Sequence, residues 1–218
     1  MMLGIPDWDL GKPRAIELCK KYDIELRFIE SSEVDRLLGR SGSGSWVEDF
    51  EKIFPNADLE VLGTHAIRLA LFHVAREVGA QCVVTGLNLE DILAEGFLSC
   101  IQGNTPPPFP VRFIDEFNYW YPLYRIPKKI IDGCNPKYSL ANYIDRYPSH
   151  MMGRTIPYYL AQMMHTILPG SEFDLIEGFK KMSNSYQNQN YYDSDLGFST
   201  TSPVSSELKN AWNVFKQM

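Results

Sequence analysis

The chain has 218 residues, 44% hydrophobic and 13% aromatic, which is enough apolar side chain to bury a substantial core, so global disorder is excluded. A formal net charge of -6 and a pI near 5.3 exclude a uniformly basic nucleic-acid-binding surface, leaving room only for a focused patch. No run of about 18 apolar residues occurs, and the N-terminal Met1-Met2-Leu3-Gly4-Ile5 lacks a basic segment before an apolar one, so no membrane partner is expected and the expected location is the cytoplasm.

In chain order, residues 13–22 place Pro13 at a helix start and Lys20 and Lys21 in the last turn, which suits both the capping asymmetry and the helix dipole. The stretch Asp23-Ile24-Glu25-Leu26-Arg27-Phe28-Ile29 alternates charged and apolar residues and predicts a half-buried strand. Short helices are expected over 33–38 and 46–53, joined by Ser41-Gly42-Ser43-Gly44-Ser45, whose composition is that of a flexible linker. Over 65–79 the apolar residues Ile67, Ala70, Leu71, Val74, Ala75 and Val78 recur at helical spacing, and Gly79 is placed for a C-cap.

Cys82-Val83-Val84-Thr85 then reads as a short buried strand, Gly86-Leu87-Asn88 as a polar loop, and 89–102 as a helix through Ile92, Ala94, Leu98 and Ile101. Helix, strand, loop and helix in that order form the unit of a parallel sheet, whose ligands bind outside the carboxyl ends of the strands. Chemistry is therefore to be sought between Thr85 and Glu95. Thr105-Pro106-Pro107-Pro108-Phe109-Pro110 interrupts regular structure, 119–127 reads as extended, and helices are expected over 154–168 and 172–182. The tract 183–206, rich in Ser, Asn, Gln and Tyr, is expected to be a long loop or disordered, ahead of a final helix over 207–216.

Asp91 and Glu95 fall on one helix face, where hard oxygen ligands suit magnesium; a solvated helix start with Glu90 and Asp91 complementing the dipole is the alternative. The cysteines Cys19, Cys82, Cys100 and Cys134 form no CxxC pair, so neither a disulfide framework nor a zinc site is signalled.

Arg68, the segment Thr85-Gly86-Leu87-Asn88-Leu89-Glu90-Asp91, Glu95, Gln102-Gly103-Asn104 and Tyr121-Pro122-Leu123 together resemble the PP-loop ATP pyrophosphatases, the family of tRNA thiolation enzymes and tRNA lysidine synthetases. The resemblance runs from about Leu3 to Phe179. It implies an α/β fold of HUP type, a mainly parallel sheet with helices on both faces and a helical C-terminal extension. The domains it implies are 1–132 for nucleotide binding, 133–182 as the helical extension and 183–218 as a tail.

The implied chemistry is adenylation of a tRNA base by ATP with magnesium, followed by attack of a sulfur or amine nucleophile. Carried over by position, Thr85, Gly86 and Asn88 line the nucleotide site, Arg68 faces phosphate, and Asp91 with Glu95 serves the metal. Cys134, in Asp132-Gly133-Cys134-Asn135-Pro136, is a candidate persulfide carrier, and an ordinary loop thiol otherwise. ATP and tRNA are the expected partners, and a homo-oligomer is left open.

The sequence differs from the family pattern at Leu87, where the family has His, at Glu90, where it has Asp, at Glu95, which comes one residue later than the family's spacing, and at Gln102-Gly103-Asn104, which lacks the charges of an Arg-Gly-Asp-like end. The family's Ser-Gly-Gly-x-Asp-Ser phosphate loop does not occur in these residues, so the expectation is an incomplete nucleotide-binding domain. Two alternatives follow: a non-catalytic remnant that binds RNA or protein, and an amide-forming relative such as an NAD synthetase, to which Glu95-Gly96-Phe97 and Gly103-Asn104 are loosely similar. A mixture of Tyr138, Tyr143, Arg146, Tyr147, His150, Arg154, Tyr158 and Tyr159 either packs helices or contacts RNA.

Overall fold

A computed structural model describes residues 11–57, 59–139, 152–185, 191–200 and 203–218. The chain forms two compact units, one of Met1–Val78, Asn135–Met151 and Val204–Met218, the other of Gly79–Cys134 and Met152–Pro203. The helical extension at 152–185 thus belongs with the segment that carries the 85–95 motif, while the C-terminal helix belongs with the N-terminal part.

In the first unit, α1 (Lys12–Lys21), α2 (Ser31–Leu37) and α3 (Trp46–Ile53) lie within two residues of the expected helices, while α4 (Leu59–Glu77) starts six residues before the expected 65. α2 and α3 pack on α4. A last helix, labelled α10 below (Ser206–Gln217), closes on α3 by burying Trp212 and Phe215, with the Phe215 ring edge-on to Phe50 at 5.8 Å. Ser205 caps α10 by accepting from the Leu208 N–H at 3.2 Å.

The expected strand over 23–29 does not form. Its alternation is real, but among the described residues no strand pairs with it, and Ile24 stays 56% exposed. Without a partner to take its N–H and C=O groups, an alternating pattern alone cannot make a sheet strand.

The tract 41–45 is no free linker either. Arg40, whose side chain is fully buried, donates to the Gly44 carbonyl, to Asp35 at 2.8 Å, to Asp49 at 2.7 Å and to the Phe215 carbonyl at 3.0 Å. The Ser41 N–H donates to the Lys216 carbonyl at 2.9 Å. A Cβ on Gly42 would lie 1.6 Å from the Met218 carbonyl oxygen, and one on Gly44 would lie 2.4 Å from Asp49 Oδ2, so close packing accounts for both glycines.

In the second unit, β1 (Cys82–Val84), β2 (Val111–Ile114) and β3 (Phe117–Trp120) form a sheet in the order β1-β3-β2, with β1 parallel and β2 antiparallel to β3. The sheet is small and mixed. β1 is only partly buried: Val83 faces the interior, whereas Val84 is 61% exposed. Between β1 and β2 lies α5 (Leu89–Ile101), packed against α8 (Met152–Ile167) and α9 (Ser171–Ser185). Leu93, Ala161 and Ile176 are buried among these helices. Two short helices, α6 (Lys128–Cys134) and α7 (Pro136–Ser139), precede them.

The described residues of the tract 183–206 include regular structure. α9 continues to Ser185, and β4 (Tyr191–Asp193) pairs antiparallel with β5 (Phe198–Thr200). The turn between them is set by Asp193, whose Oδ1 accepts from the N–H groups of Asp195 and Leu196, and by Gly197 at φ 74°. Composition missed this because the turn is specified by one Asp and one Gly, not by apolar content. Tyr143, Arg146, Tyr147 and His150 lie outside the described residues.

Candidate functional site

β1 ends at Val84, and residues 85–88 carry the chain from its carboxyl end to the start of α5. The loop is pinned at both ends: the Thr85 N–H donates to the Trp120 carbonyl at 3.0 Å, and the Leu89 N–H donates to the Ile126 carbonyl at 3.2 Å. Asn88 caps α5 in extended conformation. Its Oδ1 accepts from the Asp91 N–H at 3.1 Å, while Asp91 Oδ2 accepts from the Asn88 N–H at 2.9 Å. This reciprocal box fixes the entry angle of the helix and the direction of its positive dipole end.

Two features of the loop suit an incoming ligand. Thr85 Oγ1 is buried and makes no hydrogen bond among the described residues, a cost that a polar ligand atom would remove. Gly86 is exposed, and nothing lies within 4 Å of the position a Cβ would take, so a ligand has open backbone to approach.

Asp91 and Glu95 share a helix face but each has its own partner. Both Glu95 oxygens accept from Arg112, at 3.0 and 2.9 Å, and the Arg112 guanidinium lies 5.4 Å from the centre of the Tyr121 ring. Asp91 is the N-terminal box residue. Among the described residues, no group of three or more His, Cys, Asp or Glu side chains is placed to hold a metal ion. The four cysteines are free; Cys134 is exposed at the end of α6.

Arg68 is half-buried on α4, in the other unit, where its charge acts on His65. Burial above all, and Arg68 next, hold the His65 imidazole down to about 3. The loop residues Thr85, Gly86 and Asn88 thus come together with Asp91, while Arg68 is carried by a separate part of the chain.

Glu90, which the sequence places at a solvated helix start, is instead buried and forms a largely buried chain beside this loop with His165 and Glu172, two residues to which the sequence assigns no role. Glu90, at the second position of α5, is 4% exposed, and its Oε2 accepts from the Lys128 N–H at 2.9 Å. Its Oε1 lies 2.6 Å from His165 Nε2, and His165 Nδ1 lies 2.9 Å from Glu172 Oε1. Glu172 Oε2 accepts from the Gly170 N–H at 2.7 Å.

Burial works against a charged imidazole at His165, but the hydrogen bonds and charges of Glu90 and Glu172 outweigh it, so its pKa is raised. Burial likewise pushes Glu172 up, yet its own backbone N–H, His165 and the Gly170 N–H together hold it below the usual carboxylate value. A helical His followed by an acidic residue at the next helix start was the available sequence signal. It is weak, because nothing local ties either residue to Glu90.

No protein-family model and no characterised protein sequence matches the chain. Among solved structures, the chain is similar to the U34-tRNA thiolase NcsA from Methanococcus maripaludis, described with its 4Fe-4S cluster, with a TM-score of 0.59 at 16% identity. The match covers 81% of this chain and 58% of the thiolase, so the chain spans less than two thirds of that protein. At this identity the likeness is one of fold. No described helix is long and apolar enough to cross a membrane.

Proposed function

We propose that this chain carries the nucleotide site of a PP-loop ATP pyrophosphatase and acts in ATP-dependent adenylation of a tRNA base, for thiolation or a related substitution. The observation that carries the reading is the 85–88 loop. It leaves the carboxyl end of a parallel strand, opens a helix whose N-terminus is held by a reciprocal capping box and presents the unsatisfied Thr85 hydroxyl, in a fold shared with a tRNA thiolase. On this reading the mixed sheet is part of a HUP-type sheet, mainly parallel and covered by helices on both faces.

The base carbonyl oxygen attacks the α-phosphorus of ATP, and the bond to the bridging oxygen breaks to release pyrophosphate. A sulfur or amine nucleophile then adds to the activated carbon, and AMP leaves. Thr85 donates to the nucleotide, Gly86 admits its close approach, and Asn88 holds the α5 N-terminus toward its negative charge. Arg68 is assigned to phosphate by the resemblance alone. Glu95 does not fit a magnesium ligand, since Arg112 takes both its oxygens, and no step is routed through it. Asp91 is assigned to magnesium by the resemblance alone, since its Oδ2 already accepts from the Asn88 N–H. Cys134 is exposed enough to accept sulfur, in line with a persulfide carrier.

A second reading, a binding module without catalysis, draws on the same engagement of Glu95 and on Leu87 where the family has His. Calorimetry separates the two. ATP with magnesium is titrated into this chain, into the Thr85→Val variant, and into a version extended upstream through any Ser-Gly-Gly-x-Asp-Ser loop encoded there. Binding weakened by Thr85→Val, with pyrophosphate released on adding tRNA, supports the enzyme. Absence of nucleotide binding by both the chain and the extended version sinks it.

A further inference from the structure

Both ring nitrogens of His165 face a carboxylate oxygen, Glu90 at 2.6 Å and Glu172 at 2.9 Å. An ionised carboxylate only accepts hydrogen bonds, and a neutral imidazole donates from one nitrogen while presenting a lone pair at the other. With both carboxylates ionised, the two contacts are hydrogen bonds together only when the ring is an imidazolium. Loss of its proton leaves one buried carboxylate against a lone pair.

Neither carboxylate has an easy escape to water. Glu90 and Glu172 are 4% and 5% exposed, and their second oxygens hold the N–H groups of Lys128 and Gly170. The charged groups acting on the ring are Glu90 from α5 and Glu172 from α9. Lys128 of α6 reaches the cluster through its main chain, its ammonium being paired with Asp132. One proton therefore decides whether His165 of α8 is hydrogen-bonded to α5 and to the start of α9 at once.

Glu90 stands two residues beyond Asn88, inside the first turn that the capping box defines. We propose that protonated His165 is a positioning residue that fixes the 85–88 loop through Glu90, so that the loop keeps its ligand-ready geometry while both ring nitrogens donate and loosens when the proton is lost. The role of the loop in holding ATP rests on the function proposed above; its ordering by His165 does not.

The test is amide hydrogen exchange of the ligand-free chain, read by mass spectrometry for segments 85–92 and 128–134 and corrected for intrinsic rates. Wild type is compared at pH 6 and 8.5 with His165→Gln, and segment 46–53 serves as the internal reference. Protection of 85–92 falls by about tenfold in wild type over this range relative to the reference, and His165→Gln at pH 6 exchanges like wild type at pH 8.5.

Equal protection at both pH values in wild type overturns the proposal, and needs no variant to be folded. So does unchanged protection in a folded His165→Gln. Calorimetry with ATP and magnesium on the same samples reports separately on the function: altered exchange without nucleotide binding removes the ATP reading and leaves the loop-ordering role standing.

Discussion

Arg112 grips Glu95 with two nearly parallel hydrogen bonds, from Nη1 and Nη2 to the two carboxylate oxygens at 3.0 and 2.9 Å. The pair joins α5 to β2, and Arg112 Nε also donates to the Pro108 carbonyl at 3.3 Å. A fork-to-fork geometry of this kind is stronger than a point contact and cannot be reproduced by lysine.

Removing one half of the pair should therefore cost more than removing both. Arg112→Met leaves a partly buried carboxylate without its donor, at about 2 kcal/mol, or roughly 4–8 °C in melting temperature for a chain of this size. The double variant Arg112→Met with Glu95→Leu recovers part of that loss. Melting curves of the two single variants and the double variant check this, and simple additivity of the losses would contradict the pairing.

Gly96 sets how closely α5 meets α9. A Cβ there would lie 2.3 Å from the Phe179 ring, which also stands edge-on to Phe97 at 5.6 Å. Gly96→Ala should destabilise by about 1–3 kcal/mol despite the better helix propensity of alanine, because the ring has to move. Adding Phe179→Leu should restore some of it. A gain in urea midpoint for Gly96→Ala alone would show that the ring yields without cost.

The helices were legible because their signals are local. Pro13, the 3.6-residue spacing from Ile67 to Val78 and the apolar face of 89–102 each lie within a few turns, and the structure places helices there. The same local reading overstated Ile24 and Leu26, since a strand needs a neighbour that period-two alternation does not supply. Around the loop, Thr85 and Asn88 could be picked out by family pattern. Their neighbours in space could not: Glu90 and His165 are 75 residues apart, and Arg40 and Phe215 are 175 apart. Buried polar contacts of that range leave no periodic trace.

Arg40 gives the third prediction. It is fully buried, ion-paired with Asp35 and Asp49, and stacked 4.8 Å from the Phe215 ring centre. Arg40→Met should cost about 3–5 kcal/mol, since two carboxylates and two carbonyls lose their donor together. The Arg40 hydrogen bond, first among the causes, holds Asp49 below its ordinary value of 3.8. Its contribution is thus present above about pH 3.8 and lost as the pH falls through the lower folded value. In Asp49→Asn the urea midpoint should be lower at neutral pH, and the difference from wild type should shrink in acid. A constant difference across the acid range would contradict it.

His65 and His165 should give stability pH dependences of opposite sign. His65 is held down to about 3 by burial and by Arg68, so below the ordinary imidazole value of 6.5 the unfolded chain takes up a proton that the fold refuses. Its contribution is complete above 6.5 and falls toward acid by about 1.4 kcal/mol per pH unit. His165 is raised, so its contribution is complete below 6.5 and lost as the pH climbs through the folded value. Glu172, held low, adds a contribution present above its ordinary 4.5 and lost in acid. His65→Phe, which retains a ring to meet Trp212 at the 5.8 Å spacing, should flatten the acid limb and leave the alkaline one. His165→Gln should do the reverse. Urea unfolding at pH 5, 6.5, 8 and 9 reads both, and an alkaline limb that survives His165→Gln would assign that proton to another group.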